Sequence, residues 1–263
     1  MRRVVVKVGG HALGDTAVNA VVLCELARDV AGLRADGTQV AVVHGGGPQI
    51  TELLDRLGLA PVFHEGLRVT DAATVSAVAM ALSWVNLQIV SAFNHAGLPA
   101  VGLTGGDDAL LTSTPLGEPW GRVGGAPRVR TALVTGLWSQ GITPVIQSIA
   151  IDAEGAPLNV NADAVAGALA GALNADALVL LSDVDQVRTD PDDPATAVAR
   201  LTGAEVRELV ASGRAREGMR PKLLAALDAL DGGAGSVTLA NGTHAHALRE
   251  VLGGSAAFTE VVP

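Results

Sequence analysis

The residues best placed to do chemistry are glycines and one lysine. Two runs, Val4-Val5-Val6-Lys7-Val8-Gly9-Gly10 and Val40-Ala41-Val42-Val43-His44-Gly45-Gly46-Gly47, each read as a buried strand ending in glycines. Where glycines follow the carboxyl end of a strand and open a helix, backbone N–H groups can approach an anion closely. No Cβ intervenes there, and the helix N-terminus carries partial positive charge. Lys7 adds a cation beside the first turn and stands in an otherwise apolar strand, where an unpaired ammonium is costly. The pattern points to phosphate chemistry of an uncommon class, because neither G-x-x-x-x-G-K-[ST] nor the spaced G-x-G-x-x-G occurs. The competing reading is that each glycine cluster only marks a tight turn. Asp163 lies in a stretch dominated by Ala, Val and Leu, where a carboxylate needs a partner. Equally, Asn161 or Asp163 could cap the helix that follows.

These residues need elements to position them. Continuous Val runs without polar alternation indicate strands covered on both faces, as in a parallel sheet. Strands are expected at 4–8, 40–43, 100–103, 143–147, 178–182 and 236–240, and helices at 16–35, 48–57, 71–96, 129–140, 162–174, 203–212 and 219–231. That alternation makes an α/β sandwich. The irregular stretch 105–128 suggests a hairpin excursion over one edge, and 186–198 a polar, Pro-rich loop. A lobe boundary is expected near residue 175, giving lobes 1–175 and 176–263. The 263 residues can bury a sizeable core, built from Ala, Val, Leu and Ile because aromatics make up only 2%. A net charge of −9 without a basic patch argues against a nucleic-acid surface. Cys24 is the only cysteine, so no intrachain disulfide or cysteine-based zinc site forms, in keeping with a reducing cytoplasm. Residues 72–106 carry no Asp, Glu, Lys or Arg, yet Asn86, Gln88, Asn94, His95 and Pro99 interrupt them, so a buried helix is expected rather than a membrane span.

Six motifs then occur in one order: Lys7-Val-Gly-Gly, His44-Gly-Gly-Gly-Pro, Gly66-Leu-Arg-Val-Thr, Asn159-Val-Asn-Ala-Asp, Leu181-Ser-Asp-Val and Gly218-Met-Arg-Pro-Lys. This series resembles the acetylglutamate kinases of the amino acid kinase family over nearly the whole chain. The resemblance implies a three-layer αβα sandwich around a mainly parallel sheet. Its N-terminal lobe would bind N-acetyl-L-glutamate and its C-terminal lobe ATP with Mg2+. Phosphoryl transfer to a carboxylate brings anion to anion, so charge neutralisation and positioning carry most of the catalysis. By resemblance Lys7 and Lys222 stabilise the transition state and Asp163 orients them. Arg68 grips the substrate α-carboxylate, a task that suits its planar fork. Gly46 and Gly47 donate N–H groups to the reacting end, and Asn159 touches the substrate. Gly10, Ser182, Asp183, Val184 and Met219 are assigned to the nucleotide, within the wider segments 183–188 and 214–222. No protein metal ligand is expected. His44 reads as structural, since a carboxylate nucleophile needs no general base at neutral pH.

The sequence departs from the family pattern at Gln186, where a permissive glycine is usual, and at Leu87, which follows Asn86 where many relatives have lysine. Two other readings stay open: a kinase acting on carrier-protein-linked aminoadipate or glutamate in lysine biosynthesis, and a non-catalytic amino-acid-binding regulatory domain. The first tends to have His-Gly-Gly-Ser, unlike residues 44–48 here, and the second would not need the lysine pair. By resemblance a cytoplasmic homodimer is expected. With Lys7 only six residues from Met1, an extra N-terminal helix of the kind found in arginine-inhibited hexamers is not expected, nor is sensitivity to arginine.

Overall fold

In the computed structural model, which describes residues 1–14, 19–215 and 218–263, eight strands form one central sheet. In chain order they are β1 (Arg3–Val8), β2 (Gln39–His44), β3 (Ala100–Leu103), β4 (Thr143–Gln147), β5 (Ala177–Ser182), β6 (Arg200–Thr202), β7 (Val237–Asn241) and β8 (Phe258–Val262). Across the sheet they run β6-β8-β7-β5-β1-β2-β4-β3. Every pairing is parallel except β7 with β8. The Val run of β1 lies at the centre, with Val4 opposite Val40 on one side and Ala177 on the other. Its two faces feed separate cores. Val5, Ala41, Val43, Leu178 and Leu180 pack on one side; Val4, Val6, Val8, Val40 and Val42 pack on the other. This double burial is why β1 and β2 show no polar alternation.

Helices cover both faces. On the Val5 side lie α4 (Ala132–Ser139), α5 (Ala162–Ala172), α6 (Gly203–Ala211) and α7 (Met219–Asp231); on the Val4 side lie α1 (Ala20–Ala35), α3 (Ala72–His95) and α8 (Ala247–Leu252). Two helices start at the glycine clusters: a single turn, Gly10–Leu13, after the first, and α2 (Gly47–Arg56) after the second, which packs on α3. The result is the expected three-layer sandwich. The long apolar helix α3 is capped by Asp71, whose side chain accepts from Thr74 N–H, and buries Val85, Ile89 and Phe93 against the sheet. Its mean hydropathy of 1.5 and 24 residues would suffice to cross a membrane, but this packing makes it a core helix.

The expected strand and helix positions hold to within a few residues, apart from the start of the first helix, since 16–18 lie outside the described residues. Strands β6 and β8 and helix α8 were not foreseen. Residues 129–131 are not helical, because Arg128–Val129 pairs with Leu111–Thr112. The excursion is broader than one hairpin: Leu111–Thr112, Pro115–Gly117 and Gly121–Gly124 join Ile149–Ile151, Pro157–Asn159 and Arg128–Val129 in a second, six-stranded sheet. Within 186–198, Val187–Arg188 pairs with Ala197–Val198, so this stretch is a short hairpin rather than a plain loop.

Candidate active site

The carboxyl ends of β1, β2 and β5 converge on one edge of the sandwich. The connection that leaves β1 runs to β2 on one side, and the one that leaves its neighbour β5 runs to β6 on the other, which creates the crevice where α/β proteins bind ligands. Lys7 lies near the end of β1, and its ammonium is 2.7 Å from Asp163 Oδ1. Lys222, in the first turns of α7, reaches Asp163 Oδ2 at 3.2 Å. The side chains of Lys7, Asp163 and Lys222 are 6%, 7% and 14% exposed, so two cations and one carboxylate share a nearly dry site with a net charge of +1.

The capping question at α5 resolves cleanly. Asn161 Oδ1 accepts from the N–H groups of Asp163 and Ala164 at 2.8 and 3.4 Å, so the cap is Asn161 and the Asp163 carboxylate is left for the lysines. Burial alone would raise the pKa of Asp163, but Lys7 and Lys222 outweigh it and hold the carboxyl below the usual range. Burial lowers the pKa of Lys7, Asp163 opposes that, and Lys222 adds to it. The surplus of positive charge across the three, offset in part by the nearby Asp183, favours an anion in the adjoining space.

These groups open into a cavity of about 610 Å³ that also carries Gly10, Gly46, Gly47, Arg68, Asn159 and Gly218. Arg68 is held by three contacts: its Nη2 donates to Thr51 Oγ1 at 2.9 Å and more weakly to Gly47 O at 3.4 Å, while its guanidinium stacks 4.7 Å over the Phe63 ring. Its Nη1 is buried without a hydrogen-bond partner among the described residues, as expected of a fork waiting for a carboxylate. Asn159 Nδ2 donates to Thr70 Oγ1, which fixes its amide at the cavity wall. The two glycine clusters touch: a Cβ on Gly10 would stand 2.8 Å from Gly47 N and from Pro48 Cδ.

A second cavity, of about 460 Å³, lies beyond the first turn of α7. Asp183, Val184, Asp185, Gln186, Leu209, Arg214 and Met219 line it. Gly218, Pro221 and Lys222 face the first cavity while Met219 and Leu223 face the second, so one helical turn separates the two. Ser182 lines neither; it is buried at the end of β5, and its hydroxyl accepts from Val184 N–H at 3.4 Å. Gln186 keeps a negative φ and donates through Nε2 to Phe258 O at 3.0 Å, so this loop has no need of the missing glycine. Of the 214–222 segment, residues 216 and 217 lie outside the described residues.

Thr51, Phe63 and Leu209 were not read from the sequence. Thr51 had a usable signal, since it lies one helical turn after Gly47 and its hydroxyl donates to Gly47 O. The other two reach their cavities only through tertiary packing.

Residues 2–241 match the model of the amino acid kinase family. The chain belongs to this family. It is 42% identical over 257 residues to the acetylglutamate kinase of Symbiobacterium thermophilum, a match covering 94% of this chain and 86% of that protein. It is 45% identical over 241 residues to the acetylglutamate kinase of Cereibacter sphaeroides, covering 91% and 80%. Among solved structures, smu.665 from Streptococcus mutans superposes with a TM-score of 0.79 at 26% identity, covering 91% of this chain and 94% of that one. This family member is therefore a kinase with the amino acid kinase fold, and neither alternative reading is favoured.

Proposed function

We propose that this kinase transfers the γ-phosphoryl group of ATP to the γ-carboxylate of N-acetyl-L-glutamate, giving the acyl phosphate and ADP, in the cytoplasm and as a step of arginine biosynthesis. The observation that carries the reading is the buried Lys7–Asp163–Lys222 triad with its surplus positive charge at the wall of the first cavity. A carboxylate attacking a phosphoryl group concentrates negative charge between two anions, and preorganised cations lower that barrier most where water is excluded. No proton has to be removed, because the nucleophile is ionised at neutral pH.

In this reading the larger cavity takes the acyl amino acid. The free Nη1 of Arg68 and its fork bind the α-carboxylate, Asn159 positions the acetylamino end, and the N–H groups of Gly46 and Gly47 meet the reacting oxygens. The second cavity takes the nucleotide, with Asp183, Val184 and Met219 at its wall and Gly10 toward the phosphates; Ser182 supports this loop from below. Residues 1–175 thus form the acceptor lobe and 176–263 the nucleotide lobe. Among the described residues no three His, Cys, Asp or Glu side chains converge on a metal position, so Mg2+ would enter on the phosphates, where it supplies charge neutralisation.

A homodimer is supported by one face of α3. Met80, Trp84 and Leu87 are 55%, 60% and 55% exposed at helical spacing, on a helix with no Asp, Glu, Lys or Arg within Ala72–His95. An uncharged apolar stripe is self-complementary under two-fold symmetry, because no like charges meet.

A coupled ADP-release assay across N-acetylglutamate, glutamate, aspartate, carbamate and N-acetylaminoadipate tests the function. The highest kcat/KM should belong to N-acetylglutamate. Equal or faster turnover of another acceptor would overturn the assignment.

A further inference from the structure

His44 and Asn86 are fully or nearly buried polar residues that the phosphoryl-transfer chemistry leaves unused. They meet behind the glycine cluster, on the face of the sheet opposite Lys7 and Asp163. Asn86, on α3, places Nδ2 3.0 Å from Val145 O and 3.0 Å from His44 Nε2. A carbonyl can only accept, so Val145 fixes which end of the Asn86 amide is the nitrogen. The second amide hydrogen then points at His44 Nε2, which must be the unprotonated nitrogen. The ring proton is left on Nδ1, 3.0 Å from Gly45 O, where again only a donor fits. Burial pushes the His44 pKa down to about 4, the Gly45 carbonyl opposing this, so the ring is neutral. The chain of contacts fixes one tautomer.

The consequence falls on the next peptide. The Gly45–Gly46 bond is trans, so its N–H points opposite to its C=O. With the Gly45 carbonyl tied to His44 on the α3 face, the Gly46 N–H is aimed toward the α5 face and the first cavity. Among the described residues it has no acceptor.

We propose that Asn86 is a positioning residue: acting through the His44 tautomer, it aims the Gly46 N–H at the oxygens of the phosphoryl-transfer transition state. This rests on the acyl-kinase reading above. The side chain of Asn86 fits only because position 102 on β3 is glycine, where a Cβ would stand 1.8 Å from Asn86 Oδ1. The relay therefore extends from the sheet edge to the reacting centre. The groups facing His44 from neighbouring elements, Asn86 of α3, Val8 of β1 and Gln147 of β4, carry no charge.

Asn86→Leu should lower kcat by about 10-fold to 100-fold, short of the full loss of an oxyanion donor, while KM for ATP stays near wild type. Gly102→Ala, remote from substrate, should lower kcat in the same direction by displacing Asn86. Asn86→Asp replaces the donor with an acceptor, which favours a proton on Nε2 and frees the Gly45 carbonyl. At lower pH the imidazolium donates from both nitrogens, so kcat of Asn86→Asp should recover as pH falls from 8 to about 6, where wild type stays flat. Imidazole 15N NMR of the wild-type protein should show Nδ1 protonated and Nε2 bare. A protonated Nε2 in wild type, or a folded Asn86→Leu with unchanged kcat, would overturn the proposal. If Asn86→Leu fails to fold, Gly102→Ala and the NMR measurement decide. A wild-type enzyme inactive on N-acetylglutamate would refute the acyl-kinase reading, and the NMR measurement would still decide the tautomer.

Discussion

At Asp163 a single carboxylate compensates two buried lysines, and removing any member leaves an imbalance in a site with little water. Lys7→Ala and Lys222→Ala should each reduce kcat on the order of 100-fold, because each deletes a charge that faces the transition state. Steady-state kinetics on folded variants check this; near wild-type kcat in either would remove that lysine from the mechanism. Arg68→Lys keeps the charge but loses the fork, so KM for the acyl amino acid should rise roughly 10-fold to 100-fold with KM for ATP almost unmoved. Equal weakening of both substrates would mark Arg68 as a structural arginine. His44 carries a pH effect whose sign is fixed by its burial. Its pKa is lowered from 6.5 to about 4 in the fold, so between these values the unfolded chain binds the extra proton and stability falls as pH falls. The loss should approach about 3 kcal/mol by pH 4. Denaturation of wild type and His44→Gln at pH 7 and 4.5 measures it, and identical pH slopes would show that His44 is not buried neutral.

Helices α5 and α7 bring Asp163 and Lys222 together, and glycines let them do so. A Cβ on Gly167 would stand 2.5 Å from Ala225 O, and the backbones of Gly171 and Gly232 approach as closely, a Cβ on Gly171 falling 2.9 Å from Gly232 Cα. Gly167→Val must push the helices apart. It should cost about 1–3 kcal/mol of stability through overpacking, and it should lower kcat by stretching the 3.2 Å Lys222–Asp163 contact. Thermal melts and kcat together test this: lost stability with full kcat would show that the spacing of the two helices does not set the triad. The glycine clusters act similarly at the sheet edge, where contact between Gly10 and Gly47 lets the loops after β1 and β2 meet.

For the molecule as a whole, the exposed stripe on α3 predicts a second copy. Trp84→Glu sets a charge at the middle of that stripe in both subunits, where like charges repel and desolvation is costly. Light scattering should report a dimer for wild type and a monomer for Trp84→Glu. A monomeric wild type would refute the dimer, and a dimeric Trp84→Glu would place the interface elsewhere.

Much of this was legible in the chain itself. The Val runs marked β1 and β2 because a strand buried on both faces shows no polar alternation, and the glycines after them marked the edge where the first cavity opens. Lys7 was legible for the same reason, since a lone cation in such a strand must have a buried counter-charge. Strands β6 and β8 and helix α8 were hidden, because they are short and take their stability from neighbours in the sheet rather than from local pattern. What only the tertiary structure decided was partnership. Asn161 rather than Asp163 caps α5, Thr51 and Phe63 hold Arg68, and Asn86 meets His44 across 42 residues of sequence. Burial and periodicity are written into the order of residues, whereas a hydrogen bond between distant side chains exists only once the layers that carry them have packed.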